Sequence, residues 1–139
     1  MENLKDLLSK VSDKHKLVAK ELLLMLDPRI EYGELSKLIK EKYNVEINPH
    51  MEMAHILGVI SSLAHELNLP MLSSIVVNKE THYPGQQFYE LYDLLNETDL
   101  TNASDKIKET IVKYEQNYTK SCKNWKELEK TLGIKVTKN

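Results

Sequence analysis

At 139 residues, 41% of them hydrophobic and 29% charged, the chain has the size and composition of one globular domain that folds without a metal or disulfide staple. Four Gly and four Pro favour long helices over a many-turned β architecture, and a single cysteine, Cys122, excludes an internal disulfide and fits a reducing compartment. The net charge of −2 is unevenly placed: residues 1–103 carry ten Lys/Arg against sixteen Asp/Glu, whereas residues 104–139 carry nine Lys against five Asp/Glu, so a polyanionic partner would meet the C-terminal end.

Leu4, Leu7, Leu8 and Val11 recur at helical spacing, and the first ten residues are charged and amphipathic, which predicts a helix rather than a signal peptide. Ser12 or Asp13 caps a second predicted helix carrying Leu17, Val18, Leu22, Met25 and Leu26, which Asp27-Pro28 is expected to end. Ile30 and Tyr32 leave room for a very short strand, and Gly33 opens a third helix through Tyr43 with Leu35, Leu38 and Ile39 on one face. Residues 44–49 read as a loop. The longest helix runs from Met51 to Asn68 with Ala54, Leu57, Ile60, Ser61, Ala64 and Leu67 as its apolar stripe.

Leu72–Asn78 is β-branched enough to predict a strand, followed by a turn over Lys79–Gly85. Phe88, Leu91, Tyr92 and Leu95 predict a further short helix, and the polar stretch Asn96–Ala103 a connector. Beyond it, Ile107, Ile111, Tyr114 and Tyr118 mark one helix, and Trp125, Leu128 and Leu132 another, ended by Gly133. The expected organisation is a single domain: a core over residues 1–95 with N-terminal helices, a connector over 96–103, and a C-terminal helical extension over 104–139 packed on the core. No apolar run approaches the ~20 residues that span a bilayer, so a cytoplasmic protein without membrane attachment is expected.

Helix, turn, helix, strand and turn over residues 33–85 follow the order of a winged helix, with 33–43 as the positioning helix, 51–67 as the recognition helix and 78–86 as the wing. The expected fold is therefore mainly α with a small β hairpin, a winged-helix-like core flanked by N- and C-terminal helices. The outline remotely resembles the DNA-binding domain of alkyltransferase-like proteins, in which a Tyr-Gly-Glu start (here Tyr32-Gly33-Glu34) precedes a similar layout. Their Pro-Cys-His-Arg signature is replaced by Pro70-Met71-Leu72-Ser73, which excludes alkyl transfer to a cysteine at this position.

A nearer match lies in Leu69, Pro70, Leu72, Val76, Val77, Asn78, Lys79, Thr81, Pro84, Gly85 and Phe88. They resemble a "gLPxL…VVNKxTGxPGxGF" segment of uncharacterised bacterial and phage proteins, a likeness that covers about a third of the chain once Tyr32-Gly33-Glu34-Leu35 is included. His82 and Gln87 stand where that pattern has glycines. The resemblance implies a setting of phage and mobile elements and no particular chemistry.

No Lys or Arg occurs between Lys42 and Lys79, so the long helix offers Glu52, His55, Ser62, His65 and Glu66 where a base-reading helix usually presents Arg or Lys. It reads first as a core helix. Binding is expected instead through Asn78, Lys79, Thr81, His82 and Tyr83 of the wing loop and through the basic C-terminal helices, with Lys37, Lys40, Lys120 and Lys123 as named contacts. The plain alternative for the loop is a polar turn with no partner. Tyr114, Tyr118 and Trp125, set among lysines, either stack on bases or pack onto the domain; helical spacing favours packing.

His50 and His55 are five apart, which turns their rings about 140° from one another on a helix, unlike the four-residue spacing of zinc helices. There is no glycine-rich phosphate loop, nucleophile elbow or carboxylate cluster, so no metal, cofactor or catalytic set is expected. The expected function is that of a non-enzymatic, nucleic-acid-associated regulator or accessory protein of phage or mobile-element type, with DNA ahead of RNA. The alternative is a protein–protein interaction module, such as a phage-encoded inhibitor of a host defence protein, using an apolar patch around Met51, Met53 and Tyr83. The oligomeric state is left open, a homodimer included.

Overall fold

The computed structural model describes residues 3–26 and 29–136. Its element order is α1 (Leu4–Leu8), α2 (Asp13–Met25), β1 (Ile30–Glu31), α3 (Tyr32–Tyr43), α4 (Met51–Glu66), a 3₁₀ turn (Leu72–Ile75), β2 (Val76–Val77), α5 (Gln86–Asn96), a second 3₁₀ turn (Leu100–Asn102), α6 (Asp105–Ser121) and α7 (Lys126–Leu132). The expected stop at Asp27-Pro28 lies outside the described residues.

Local chemistry accounts for most of these boundaries. Ser12 precedes α2 and its backbone N–H donates to His15 Nδ1, a reciprocal cap across the first turn. Asn44 ends α3 and Gly133 ends α7, both in the left-handed conformation that closes helices. Asn68 takes the same conformation just past α4, and Pro70 follows. In α6 the Ser104 side chain accepts from the Ile107 N–H, supplying the first-turn cap.

The expected strand and hairpin are corrected. Leu72–Ile75 is a buried 3₁₀ turn, and only Val76 and Val77 are extended. Their partners are Ile30 and Glu31, paired in parallel as Ile30 with Val76 and Glu31 with Val77. A hairpin needs a strand returning immediately after the turn, but the residues after Gly85 form α5. A parallel pair instead joins segments separated by a long crossover, here α3 and α4.

α4 is the central helix of the core. Met53, Ile56, Leu57, Val59, Ile60, Ser61, Leu63 and Ala64 are all buried, on more sides than a single apolar stripe would reach, because α1, α2, α5 and the first 3₁₀ turn all pack on it. The face left outward has Met51, His55 and Glu66 exposed and Glu52, Ser62 and His65 half-buried. Two buried serines pair with each other: Ser61 Oγ donates to Ser73 Oγ at 2.8 Å and accepts from the Ser73 N–H at 3.2 Å, which fastens the 3₁₀ turn to α4.

α7 joins the same core through Trp125, Leu128 and Leu132, so the C-terminal extension packs against the N-terminal helices. A second apolar cluster lies under α5 and α6 and contains Met71, Phe88, Tyr89, Leu95, Leu100 and Val112. The connector after α5 is held by one carboxylate. Asp93 accepts from the Leu100 and Thr101 backbone N–H groups and from the Thr98 and Thr101 hydroxyls, at 2.6 to 2.8 Å. Burial pushes its carboxyl up, but these four donors outweigh that and bring it down to about 2.

Candidate functional site

The loop between β2 and α5 is closed by its own backbone. The Asn78 N–H donates to the Tyr83 carbonyl at 2.8 Å and the His82 N–H to the Asn78 carbonyl at 2.9 Å. The Tyr83 N–H donates to Thr81 Oγ1 at 3.2 Å. His82 has φ 64°, a left-handed conformation in which glycine is at ease and His is one of the better-tolerated other residues. Lys79, Glu80, Thr81 and His82 are exposed, and Asn78 and Tyr83 half-buried.

Two anchors fix the loop to the domain. On one side the Gly85 N–H donates to the Tyr32 hydroxyl at 2.8 Å. A Cβ at Gly85 would lie 3.3 Å from Gln87 Oε1 and 3.4 Å from that hydroxyl, so glycine permits the close approach. Burial raises the Tyr32 phenol pKa, partly offset by the Gly85 N–H. Tyr32→Phe leaves that amide without its partner and is expected to cost about 1 kcal/mol of stability and to speed hydrogen exchange at Gly85. An unchanged exchange rate there would show that the anchor is dispensable.

On the other side Tyr83 reaches α6. Its phenol lies beside Glu109, whose carboxyl is held below its usual range first by the Lys113 ammonium and then by this phenol. Lys113 Nζ stands 2.7 Å from Glu109 Oε1, and Arg29, just before β1, is near enough to oppose the rise in the Lys113 pKa that Glu109 causes. Lys108 lies over the Tyr89 ring, 5.3 Å from its centroid. Lys79 and His82 of the loop, Arg29, and Lys106 and Lys113 of α6 are all exposed, and Tyr83 brings the loop close to the helix that carries the last two.

The other expected contacts lie apart from this surface. Lys37 and Lys40 line a polar groove with Lys14, Glu46 and Glu52, and each has an acidic partner: Lys37 with Glu41 at 3.8 Å, Lys40 with Glu46 at 3.2 Å. Lys123 borders a cleft beside α7, and Lys120 is exposed near the end of α6. The sequence expectation thus combined three separate regions. Arg29 was not among its candidates, and Lys106 and Lys113 entered only as part of the basic C-terminal helices, through the positive balance of residues 104–139.

The expected packing of the C-terminal aromatics divides. Trp125 is buried and its indole N–H donates to the Thr119 carbonyl at 3.0 Å. Tyr114 and Tyr118 are corrected: they are 68% and 42% exposed. α6 buries Val112 and Thr119, and the stripe Ile107, Ile111, Tyr114 and Tyr118 falls about 110° round the helix from that face. The expected apolar patch of Met51, Met53 and Tyr83 is corrected too. Met51 is 81% exposed, but Met53 is fully buried and Tyr83 lies in the cluster beneath α5 and α6. Met51 and the 63% exposed Leu94 instead border a cleft of about 410 Å³ between α1, α4 and α5, floored by Ala54, Gly58 and Ser62.

His15 and His55 face each other edge to face, with ring centroids 6.4 Å apart. Burial, then His55, lowers the pKa of His15. Among the described residues no group of three or more His, Cys, Asp or Glu comes together as a metal site, and no helix is long and apolar enough to cross a membrane. No protein-family model, curated protein or solved structure matches the chain.

Proposed function

We propose that the protein binds nucleic acid, with DNA ahead of RNA, through the surface formed by the 78–85 loop and the exposed side of α6. It would act there as a non-enzymatic regulator or accessory protein. The observation that carries this is the closeness of the Tyr83 phenol to Glu109 and Lys113, which sets the loop holding Lys79 and His82 against the helix holding Lys106 and Lys113, beside Arg29. Phosphates attract such a set of exposed cations without needing base contacts. The Lys113–Glu109 pair is a surface pair and costs little to exchange for a phosphate. Tyr114 and Tyr118, about a quarter turn round α6, supply faces on which unpaired bases can stack.

In this proposal the core is a winged-helix variant in which the loop, and not α4, makes the contacts. The lack of Lys or Arg on α4 favours that arrangement. A phage or mobile-element setting rests on the resemblance of the 69–88 segment.

The test is an anisotropy titration of labelled single- and double-stranded DNA and RNA at two salt concentrations. Three to four phosphate contacts predict an affinity loss on the order of 100-fold between 50 and 200 mM salt. Lys79→Ala combined with His82→Ala is expected to weaken binding about tenfold and to make it less salt-dependent. Absence of binding at low salt would reject the proposal, and an unchanged double variant would reject the loop as its site.

A second reading is favoured by Met51 and Leu94, whose exposure at the mouth of the α1–α4–α5 cleft is unusual for large apolar side chains. There the protein would be an interaction module, for instance an inhibitor of a host defence protein. Failure of every nucleic acid to bind would turn the search to this cleft.

A further inference from the structure

On a different part of the molecule a cleft of about 700 Å³ opens between the end of α2, the α6–α7 turn and the chain after α7. Its apolar floor includes Leu23, Leu26, Ile134 and Val136, with Trp125 beneath. Lys123, Lys126, Lys130 and Lys135 stand around it, all exposed, and none of the four has an ion pair or hydrogen bond from its side chain among the described residues. Among the described lining residues the one carboxylate is Glu129, whose Oε1 accepts from the Val136 N–H at 2.9 Å. The cleft therefore joins apolar surface to a rim on which four lysines stand against one carboxylate.

We propose that this cleft docks an acidic, leucine-rich segment of a partner protein, with apolar side chains on the floor and carboxylates on the lysines. Charge complementarity chooses the occupant. A fatty acid would bring one negative charge to four lysines, and its chain would call for an enclosed cavity rather than an open cleft. A nucleic acid would match the charge but not the floor. Leu, Ile and Val offer no stacking platform, and Trp125, at 6% exposure, presents no face to a base. A peptide alternating carboxylates with leucines matches both, its charges raising the encounter rate and its apolar side chains holding it.

The experiment titrates the whole protein against a short fluorescein-labelled peptide of repeating Asp-Leu-Glu-Leu. Trp125 is the only tryptophan, so its emission reports occupancy at this place. We expect saturable, salt-sensitive binding that shifts Trp125 emission, no binding of the matching Lys-Leu peptide, and a loss of about tenfold or more in Lys126→Glu/Lys130→Glu. Both substitutions are on exposed side chains, and circular dichroism verifies the fold. The Lys79→Ala/His82→Ala variant is expected to bind the peptide normally, which separates this proposal from the nucleic-acid one. No binding, equal binding of the Lys-Leu peptide, unchanged affinity in the Lys126→Glu/Lys130→Glu variant, or displacement by dodecanoate or by single-stranded DNA at equal charge would each overturn it.

Discussion

Trp125→Ala is expected to lower the unfolding free energy by about 3–5 kcal/mol, a large fraction of the roughly 5–15 kcal/mol that holds a domain of this kind together. The side chain is 6% exposed and packs with Leu128 and Leu132 against the α2 side of the core, while its indole N–H satisfies the Thr119 carbonyl. Truncation therefore opens a cavity where α7 meets α2 and strands a buried acceptor at the same time. Urea unfolding followed by far-ultraviolet circular dichroism measures the loss, since the fluorescent residue is gone. Trp125→Phe separates the two contributions by keeping most of the apolar contact without the donor, and is expected to retain more than half of the lost stability. A change below about 1 kcal/mol in the alanine variant would mean that α7 is only loosely attached.

The second large effect concerns Glu21, 4% exposed on α2. Its carboxylate accepts from the Tyr43 hydroxyl and from Lys42 Nζ, the latter at 3.1 and 3.0 Å to its two oxygens. A buried carboxylate depends on such donors, and the Lys42 side chain is 47% exposed, so Tyr43 is the better-shielded of the two. Tyr43→Phe is expected to cost about 1.5–3 kcal/mol at neutral pH.

The same phenol sets an alkaline limit. Burial, then the hydrogen bond and charge of Glu21, raises its pKa to about 12 from an ordinary value of 10. A pKa raised by folding stabilises the native state below pH 10, and that contribution is lost as pH rises from 10 to 12, where the unfolded chain ionises first. Tyr32, Tyr89 and Tyr92 are also raised, chiefly by burial, and act in the same direction. Tyr43→Phe is expected to show a shallower decline over that window than the parent protein. Equal slopes would show that Tyr43 does not titrate in the folded state as its contacts imply.

Helix positions were legible in the sequence because the apolar residues that make them recur locally. The period of the 4–11, 17–26, 35–39 and 88–95 runs, the cap at Ser12 and the stop at Gly133 are properties of a few neighbouring residues. The turn over 79–85 was legible for the same reason, since Thr, Pro and Gly act on the backbone beside them. The candidate loop was therefore found, but its setting was not.

What tertiary structure decided was every relation between distant segments. Val76 and Val77 pair with Ile30 and Glu31 because that extended backbone was the partner within reach, and nothing in a β-branched run says whether its neighbour is parallel or antiparallel. The periodicity of α6 announced an apolar stripe without saying whether any other element would cover it. Val112 and Thr119 took the contact, and Tyr114 and Tyr118 were left to solvent. Likewise Tyr83 of the loop came to lie beside Glu109 of α6, side chains 26 positions apart. Periodicity and turn chemistry are carried by residues adjacent in the chain; which faces meet, and which charges gather, depends on the packing of all the helices at once.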